Sequence, residues 1–240
     1  MKVSIITPTF NRLEFLKECV ESVRLSIVKP LDIQYEHVVC NVGSTDGTGE
    51  WLKQAATRDK HLKVINHDIQ LPPSQARNLA IKQSTGDWLL PLDDDDLMLQ
   101  RTIYNFVSLA TEHPDNQWFG CDFLHMTQEG RYIMGDDYYS WRFSSPADML
   151  QAIFSGGHFI QGNVMYSRRL FDQVGRYDEQ MKDAAEDIDL YIRFIKQAGL
   201  PVVGTFISHL HRFHQHNISQ GITQAKHQAM MDILARKYQA

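Results

Sequence analysis

Apolar and polar positions fall into blocks whose period changes along the chain. Val3-Ser4-Ile5-Ile6 is a short β-prone run, and Leu13, Leu16, Val20 and Val23 then recur at helical spacing. Asn11-Arg12-Leu13-Glu14 reads as a capping box for that helix, with Asn11 as N-cap and Glu14 three residues on. Residues 35–40 predict a second strand, the turn Gly43-Ser44-Thr45-Asp46-Gly47-Thr48-Gly49 follows, and residues 50–56 predict a helix. Residues 62–65 predict a third strand. Ser74 caps a helix carrying Ala76, Leu79, Ala80 and Ile81, with Gly86 closing its C-terminal side. Trp88-Leu89-Leu90-Pro91-Leu92 is an apolar run suited to a buried fourth strand. Strands and helices that alternate with short connections predict a parallel sheet flanked by helices, joined by right-handed crossovers.

The second half is less regular. Residues 99–113 predict a helix, and residues 118–126 with 132–134 predict a hairpin around Glu129-Gly130. Ser145-Pro146 opens a helix to Phe154. Gly156-Gly157 and Gly162 mark a connection before the strand-like Val164-Met165-Tyr166, and Ser167 caps a short helix. Residues 189–198 form an amphipathic helix ended by Gly199, residues 202–207 a last strand, and residues 222–238 a terminal helix. With no repeat, low-complexity tract or linker in view, residues 1–240 read as one domain.

Composition narrows the class. A chain of 240 residues that is 43% hydrophobic can bury a full core. A formal net charge of -5, without a basic run interleaved with aromatics, argues against nucleic acid as a partner. Pro8 interrupts the first apolar stretch before a signal peptide forms, and no run is long enough to span a bilayer, so the expected compartment is the cytoplasm. Cys19, Cys40 and Cys121 are odd in number, widely spaced and set among apolar residues, as suits reduced core thiols.

The chemistry concentrates at Asp93-Asp94-Asp95-Asp96, directly after the fourth strand. Adjacent like charges repel, so such a run is either a solvated loop or a site for a hard cation with oxygen ligands. Ligands of open α/β sheets bind at the carboxyl ends of strands, and this position favours the cation.

Four segments in order are Ile5-Ile6-Thr7-Pro8-Thr9-Phe10-Asn11-Arg12, Gly43-Ser44-Thr45-Asp46-Gly47-Thr48, Leu92-Asp93-Asp94-Asp95-Asp96, and Glu186-Asp187-Ile188-Asp189-Leu190 with Arg193. Together they resemble the family 2 glycosyltransferases. The resemblance implies the GT-A fold, a three-layer α/β/α arrangement around a mostly parallel mixed sheet. Residues 1–98 would hold the nucleotide sugar and residues 99–240 the acceptor.

It also implies a metal-dependent enzyme that inverts the anomeric centre. Mn2+ or Mg2+ would be held mainly by Asp95, with Asp93 beside it and His214 completing the shell, and Asp187 would be the catalytic base. Thr7, Pro8, Arg12, Asn41, Arg77, Asp93, Asp94 and Arg212 fall where the family meets its nucleoside-diphosphate sugar, with a UDP-sugar expected first. The acceptor is a saccharide or lipid-linked saccharide in surface polysaccharide, lipopolysaccharide or glycoconjugate assembly, which brings the enzyme into peripheral contact with the inner face of a membrane.

Alternatives attach to several of these residues. Glu186, Asp187 and Asp189 also suit a helix N-terminus through its dipole. Arg77 suits a surface as well as a phosphate. Asn41-Val42 stands where the family usually has two acids that contact base and ribose, and Val42 cannot replace a carboxylate. His209, His211, His214 and His216 are also candidates for zinc, against which stand their alternating spacing and the lack of nearby cysteine. A non-catalytic binding module would share this fold. A sugar nucleotidyltransferase would share it too, but the glycine-rich phosphate loop it needs after the first strand is missing from residues 7–12.

Overall fold

The computed structural model describes residues 1–133, 143–155, 162–181, 185–215, 217 and 224–238. The expected glycine-rich connection at 156–161, the end of the predicted hairpin at Met134, and the first residues of the predicted terminal helix lie outside them.

The first half alternates as expected: β1 (Lys2–Thr9), α1 (Leu13–Arg24), β2 (Gln34–Val42), α2 (Thr48–Ala56), β3 (Leu62–His67), α3 (Pro73–Gln83) and β4 (Trp88–Pro91). β1 pairs in parallel with both β2 and β4, and β2 with β3. After β5 (Leu97–Met98) and α4 (Thr102–Glu112) come β6 (Trp118–Met126), α5 (Pro146–Phe154), β7 (Val164–Ser167) and α6 (Arg168–Val174). The chain closes with α7 (Glu186–Ala198), β8 (Val202–Arg212) and α8 (Gln224–Tyr238). All eight strands form one sheet in the order β3-β2-β1-β4-β7-β6-β8-β5, so both halves of the chain share it. β7 runs antiparallel to β4 and to β6, whereas β8 runs parallel to β6.

Side-chain alternation sorts the core onto the two faces of the sheet. Ile6, Val38 and Cys40 pack with α3, α5 and α7, while Val3 and Ile5 pack with α1 and α4. Leu16, Cys19, Val20 and Val23 are the buried stripe of α1. The three cysteines are free and buried. No helix among the described residues is long and apolar enough to cross a membrane.

Several local expectations are corrected. Asn11 is not a helix cap: it sits in the left-handed region (φ 52), Arg12 is the N-cap residue, and the backbone N–H of Leu13 is satisfied by Asp46 from the second loop at 3.0 Å. Ser74 lies inside α3, after Pro72 as N-cap, and donates to the Met181 carbonyl. Gly86 lies beyond the Ser84 C-cap of α3 and donates its N–H to Ser4 Oγ at 2.8 Å. Among the described residues the hairpin after β6 shows one isolated bridge, between Met126 and Tyr132, with the Ile133 N–H donating to the His125 carbonyl beside it. β8 runs five residues past its expected end, through the first two histidines of the rich segment, because β6 on one side and β5 on the other offer it ladder partners.

Candidate functional site

The parallel strands β1, β2 and β4 end on one side of the sheet, and a cavity of about 690 Å³ opens there. Pro8, Arg12, Val42, Arg77, Asp93 and Asp94 are among its lining residues. The four acids form the turn between β4 and β5. Asp94, Asp95 and Asp96 are buried, at 4%, 4% and 0% exposed, so the acid run is not a solvated loop.

Each acid has distinct partners. Arg12 donates from one nitrogen to Asp94 at 3.0 Å and to Asp95 at 2.7 Å. His214 Nε2 lies 2.9 Å from the same Asp95 oxygen, and Asn217 Nδ2 approaches it at 3.5 Å. Asp96 accepts the Arg212 backbone N–H at 2.9 Å and faces His211 Nδ1 at 3.3 Å. The Arg212 guanidinium braces this turn from behind: it donates to the Asp95 carbonyl at 2.8 Å, to the Gln128 carbonyl at 2.7 Å and to Glu18 at 2.6 Å.

Burial sets the ionisation of the group. Desolvation, reinforced by the neighbouring Asp95 charge, pushes Asp94 up to about 7, and desolvation pushes Asp96 up to about 6. Asp95 is pushed up by burial too, but the His214 hydrogen bond and Arg12 outweigh this and hold it below the ordinary carboxylate value. Asp95 is therefore favoured as the carboxylate over its neighbours Asp94 and Asp96.

The second group of acids arrives on α7. Arg77, 4% exposed on α3, spans the two groups: it donates to Asp93 at 2.7 Å and pairs with Glu186. Its burial removes the surface reading, because a buried guanidinium needs just such anions. The three acids of α7 have different surroundings. Glu186 is held by Arg77. Asp189, fully buried, accepts from Arg193, Lys237 and Tyr238 and so ties α8 to α7. Asp187 is partly exposed in the first turn of its helix and accepts the Ile188 N–H at 2.8 Å. Burial pushes it up to about 6, against the opposing pull of Arg77.

Of the remaining expected contacts, Thr7, Asn41, Asp95 and Arg212 are not among the residues that line the cavity. Thr7 is buried with its hydroxyl 2.9 Å from His37 Nε2. The Asn41 side chain holds the loop after β2, accepting from Ser44 N–H and donating to Asn66. In that loop Gly43 has φ +75, and a Cβ there would stand 2.9 Å from the Ile69 backbone carbon, so glycine is required. Glu186, Asn217 and Asp96 were not assigned roles from sequence. Glu186 adjoins Asp187 and Asn217 lies three residues past His214, and those neighbours were the available signals.

A divalent cation fits this donor set. Asp93, Asp95 and Asp96 each offer an oxygen, and these oxygens all lie within 4.8 Å of one another, as a hard cation requires.

Comparison with known proteins agrees with this geometry. The sequence pattern of glycosyl transferase family 2 matches residues 4–175. Glycosyltransferase GlyA of Streptococcus pneumoniae serotype 4 is 26% identical over 185 residues, covering 74% of this chain and 26% of that protein. The structure of S. aureus TarS 1-349 in complex with UDP-GlcNAc superposes with a TM-score of 0.74 at 21% identity, over 96% of this chain and 64% of that one. That of the mannosyltransferase PcManGT from Pyrobaculum calidifontis, in complex with GDP-Man and Mn2+, gives 0.72 at 18% identity, over 98% and 64%. The chain thus spans about a quarter of GlyA and under two thirds of both solved chains. A sheet of this topology, an acid turn at the end of β4 and a pattern match over most of its length place the chain in glycosyl transferase family 2, with the GT-A fold.

Proposed function

We propose that this chain is a metal-dependent, inverting glycosyltransferase that moves a sugar from a nucleoside diphosphate to an acceptor hydroxyl. The observation that carries it is the Arg77 bridge. It joins the acid turn through Asp93, which lines the cavity, to the acids of α7 through Glu186, linking residues 109 apart in sequence. The solved neighbours were captured with UDP-GlcNAc and with GDP-Man, which supports a nucleotide-sugar donor.

Asp95 and Asp93, with His214 beside Asp95, would hold Mn2+ or Mg2+. When bound, the cation supplies charge neutralisation for the departing diphosphate. Pro8, Arg12 and Asp94 line the nucleotide side of the cavity, with Thr7, Asn41 and Arg212 supporting its walls and loops. Asp187 takes the proton of the acceptor hydroxyl as that oxygen attacks the anomeric carbon and the diphosphate leaves from the opposite face. Residues 1–98 form the donor half and 99–240 the acceptor half of one domain. The acceptor is a saccharide or lipid-linked saccharide presented at the inner face of a membrane, and nucleic acid is not a partner.

The test is a donor screen with UDP-, GDP-, dTDP- and CMP-sugars, measuring binding and slow hydrolysis with Mn2+ and with chelator. Metal-dependent binding of one donor by the wild type, lost in Asp95→Ala, is the expected result. Absence of any donor binding in either condition overturns the reading and leaves a degenerate fold.

A further inference from the structure

Beside the site just described lies a second cluster, which shares Asp96 with the acid turn but adds two histidines that the proposed reaction does not use. β8 alternates its side chains, so His209 and His211 emerge on the same face of the strand, and that face meets Asp96. The alternating spacing that seemed to weigh against zinc is what brings the two rings together. His211 Nδ1 lies 3.3 Å from the Asp96 carboxylate and His209 Nε2 3.6 Å from it. All three ligand atoms fall within 4.8 Å of one another.

The hydrogen bonds determine which nitrogen of His209 is available. Its Nδ1 is 2.9 Å from Ser208 Oγ, whose hydroxyl is also 3.4 Å from the Asp122 carbonyl; with the hydroxyl donating there, the oxygen accepts Nδ1–H. The lone pair then sits on Nε2. That atom is buried, has no hydrogen-bond partner and faces a carboxylate. A lone pair aimed at an anion in a dry site is repulsive unless a proton or a metal cation stands between them, and at 3.6 Å the gap is long for a hydrogen bond and of the size two ligands of one ion leave. The ring cannot turn away easily: Gly162, at φ +88, presses against it, and a Cβ there would stand 3.1 Å from three of its atoms. Phe123 stacks on it with centroids 5.4 Å apart.

The geometry points to a second divalent cation site, with His209 Nε2, His211 Nδ1 and Asp96 as ligands for zinc. Ligands held about 2.0–2.2 Å from a tetrahedral zinc stand roughly 3.3–3.5 Å from each other, close to the spacings seen. Two imidazoles and one carboxylate suit zinc better than the all-oxygen preference of Mg2+. His211 is 18% exposed on its side chain, which leaves a path for entry and a fourth position for water. The bond from His209 Nδ1 to Ser208 is the outer support that metal-bound histidines ordinarily have. The ion would pin β8 to the acid turn and neutralise Asp96 next to Asp95. It is a structural ion, separate from the one proposed for the reaction.

The experiment strips the purified chain with chelator and titrates it with Zn2+ alone, followed by calorimetry. Co2+ is used in parallel as a spectroscopic stand-in, together with the variants His209→Gln, His211→Gln and Asp95→Asn. The wild type should take up zinc and show the intense visible absorption of four-coordinate Co2+. Both histidine variants should lose one zinc equivalent, binding it at least tenfold more weakly, while Asp95→Asn, which removes a ligand of the other proposed ion, keeps that equivalent within twofold. Should His209→Gln fail to fold, as near-ultraviolet circular dichroism would reveal, the less buried His211→Gln decides. Zinc binding unchanged in His211→Gln, lost in Asp95→Asn, or absent from the wild type overturns the site. Because the readout is the metal alone, failure of this site leaves the donor screen unaffected.

Discussion

Two buried carboxylate sites share one sheet and are built on opposite rules. Glu36, on β2, is met by more donors than it needs: Ser4 Oγ at 2.7 Å, Thr85 Oγ1 at 3.1 Å, the Thr85 N–H and Lys63 at 2.6 Å. Although burial works against its charge, these donors pull it down to about 2. At the end of β4 the balance reverses. Four acids share the guanidinium groups of Arg12 and Arg77 and a few histidines, and burial pushes Asp94 up to about 7 and Asp96 up to about 6. The first arrangement stabilises the fold by itself. The second is left short of positive charge, which is the condition for holding a cation and a substrate diphosphate.

The difference can be broken from either side, and the largest effect is expected at the base. Asp187→Asn should lower kcat by about 10²–10⁴-fold with the thermal midpoint little changed, measured by donor turnover and calorimetry. Retention of full turnover would remove Asp187 from the chemistry.

Asp95→Asn should cost on the order of 10²–10³ in turnover, and added Mn2+ should stabilise the wild type alone. Saturation to about a hundred times Kd corresponds to about 2.7 kcal/mol, read as a rise in midpoint. Equal stabilisation of wild type and variant would place the ion elsewhere.

Glu36→Gln is the converse experiment. It should destabilise by about 2 kcal/mol, or roughly 4–8 °C, and leave kcat within about twofold. The sign follows from linkage. With a folded value near 2 against an ordinary 4.5, Glu36 contributes its full stabilisation above about 4.5, and the contribution is lost as pH falls toward 2. Urea titrations at pH 7 and pH 3 should therefore show the variant's deficit shrinking at the lower pH.

The smallest effect is in the pH profile. Asp187, raised to about 6, acts as a base only when ionised, so kcat/KM should be level above about 6 and fall about tenfold per unit below it. A limb near the ordinary aspartate value of 3.8 would mean that another group controls the reaction.

The same contrast explains what could be read from sequence. β1 to β4 and their helices were legible because their stripes and alternations depend on near neighbours, as in the Leu16, Cys19, Val20 and Val23 face of α1. The acid turn was legible because a charged run after an apolar strand is conspicuous. The partners of these residues were not legible. Arg77 suited a surface as well as a phosphate because its anions lie 16 and 109 positions away. Asn11 looked like a cap because the group that satisfies Leu13 N–H comes from Asp46, 33 residues on. β5 has two residues and exists only because β8 is there to pair with it. The pairing of Asp96 with His209 and His211 follows from the extension of β8, which the sheet imposes and the local sequence does not signal.

The distance between the acid turn and its braces also has a consequence for synthesis. Asp95 leaves the ribosome 119 residues before His214, and Asp96 116 residues before Arg212. At about 5–20 residues per second, that interval is roughly 6–24 s. During it the nascent chain carries four adjacent acids without the β8 segment that closes over them. Ribosome-stalled chains ending before residue 208 should be cut by protease at this turn, and chains long enough to expose residue 217 beyond the exit tunnel should resist. The candidate site is thus completed only after the β8 segment has emerged, and a translation product interrupted before it would have a folded parallel half without a finished site.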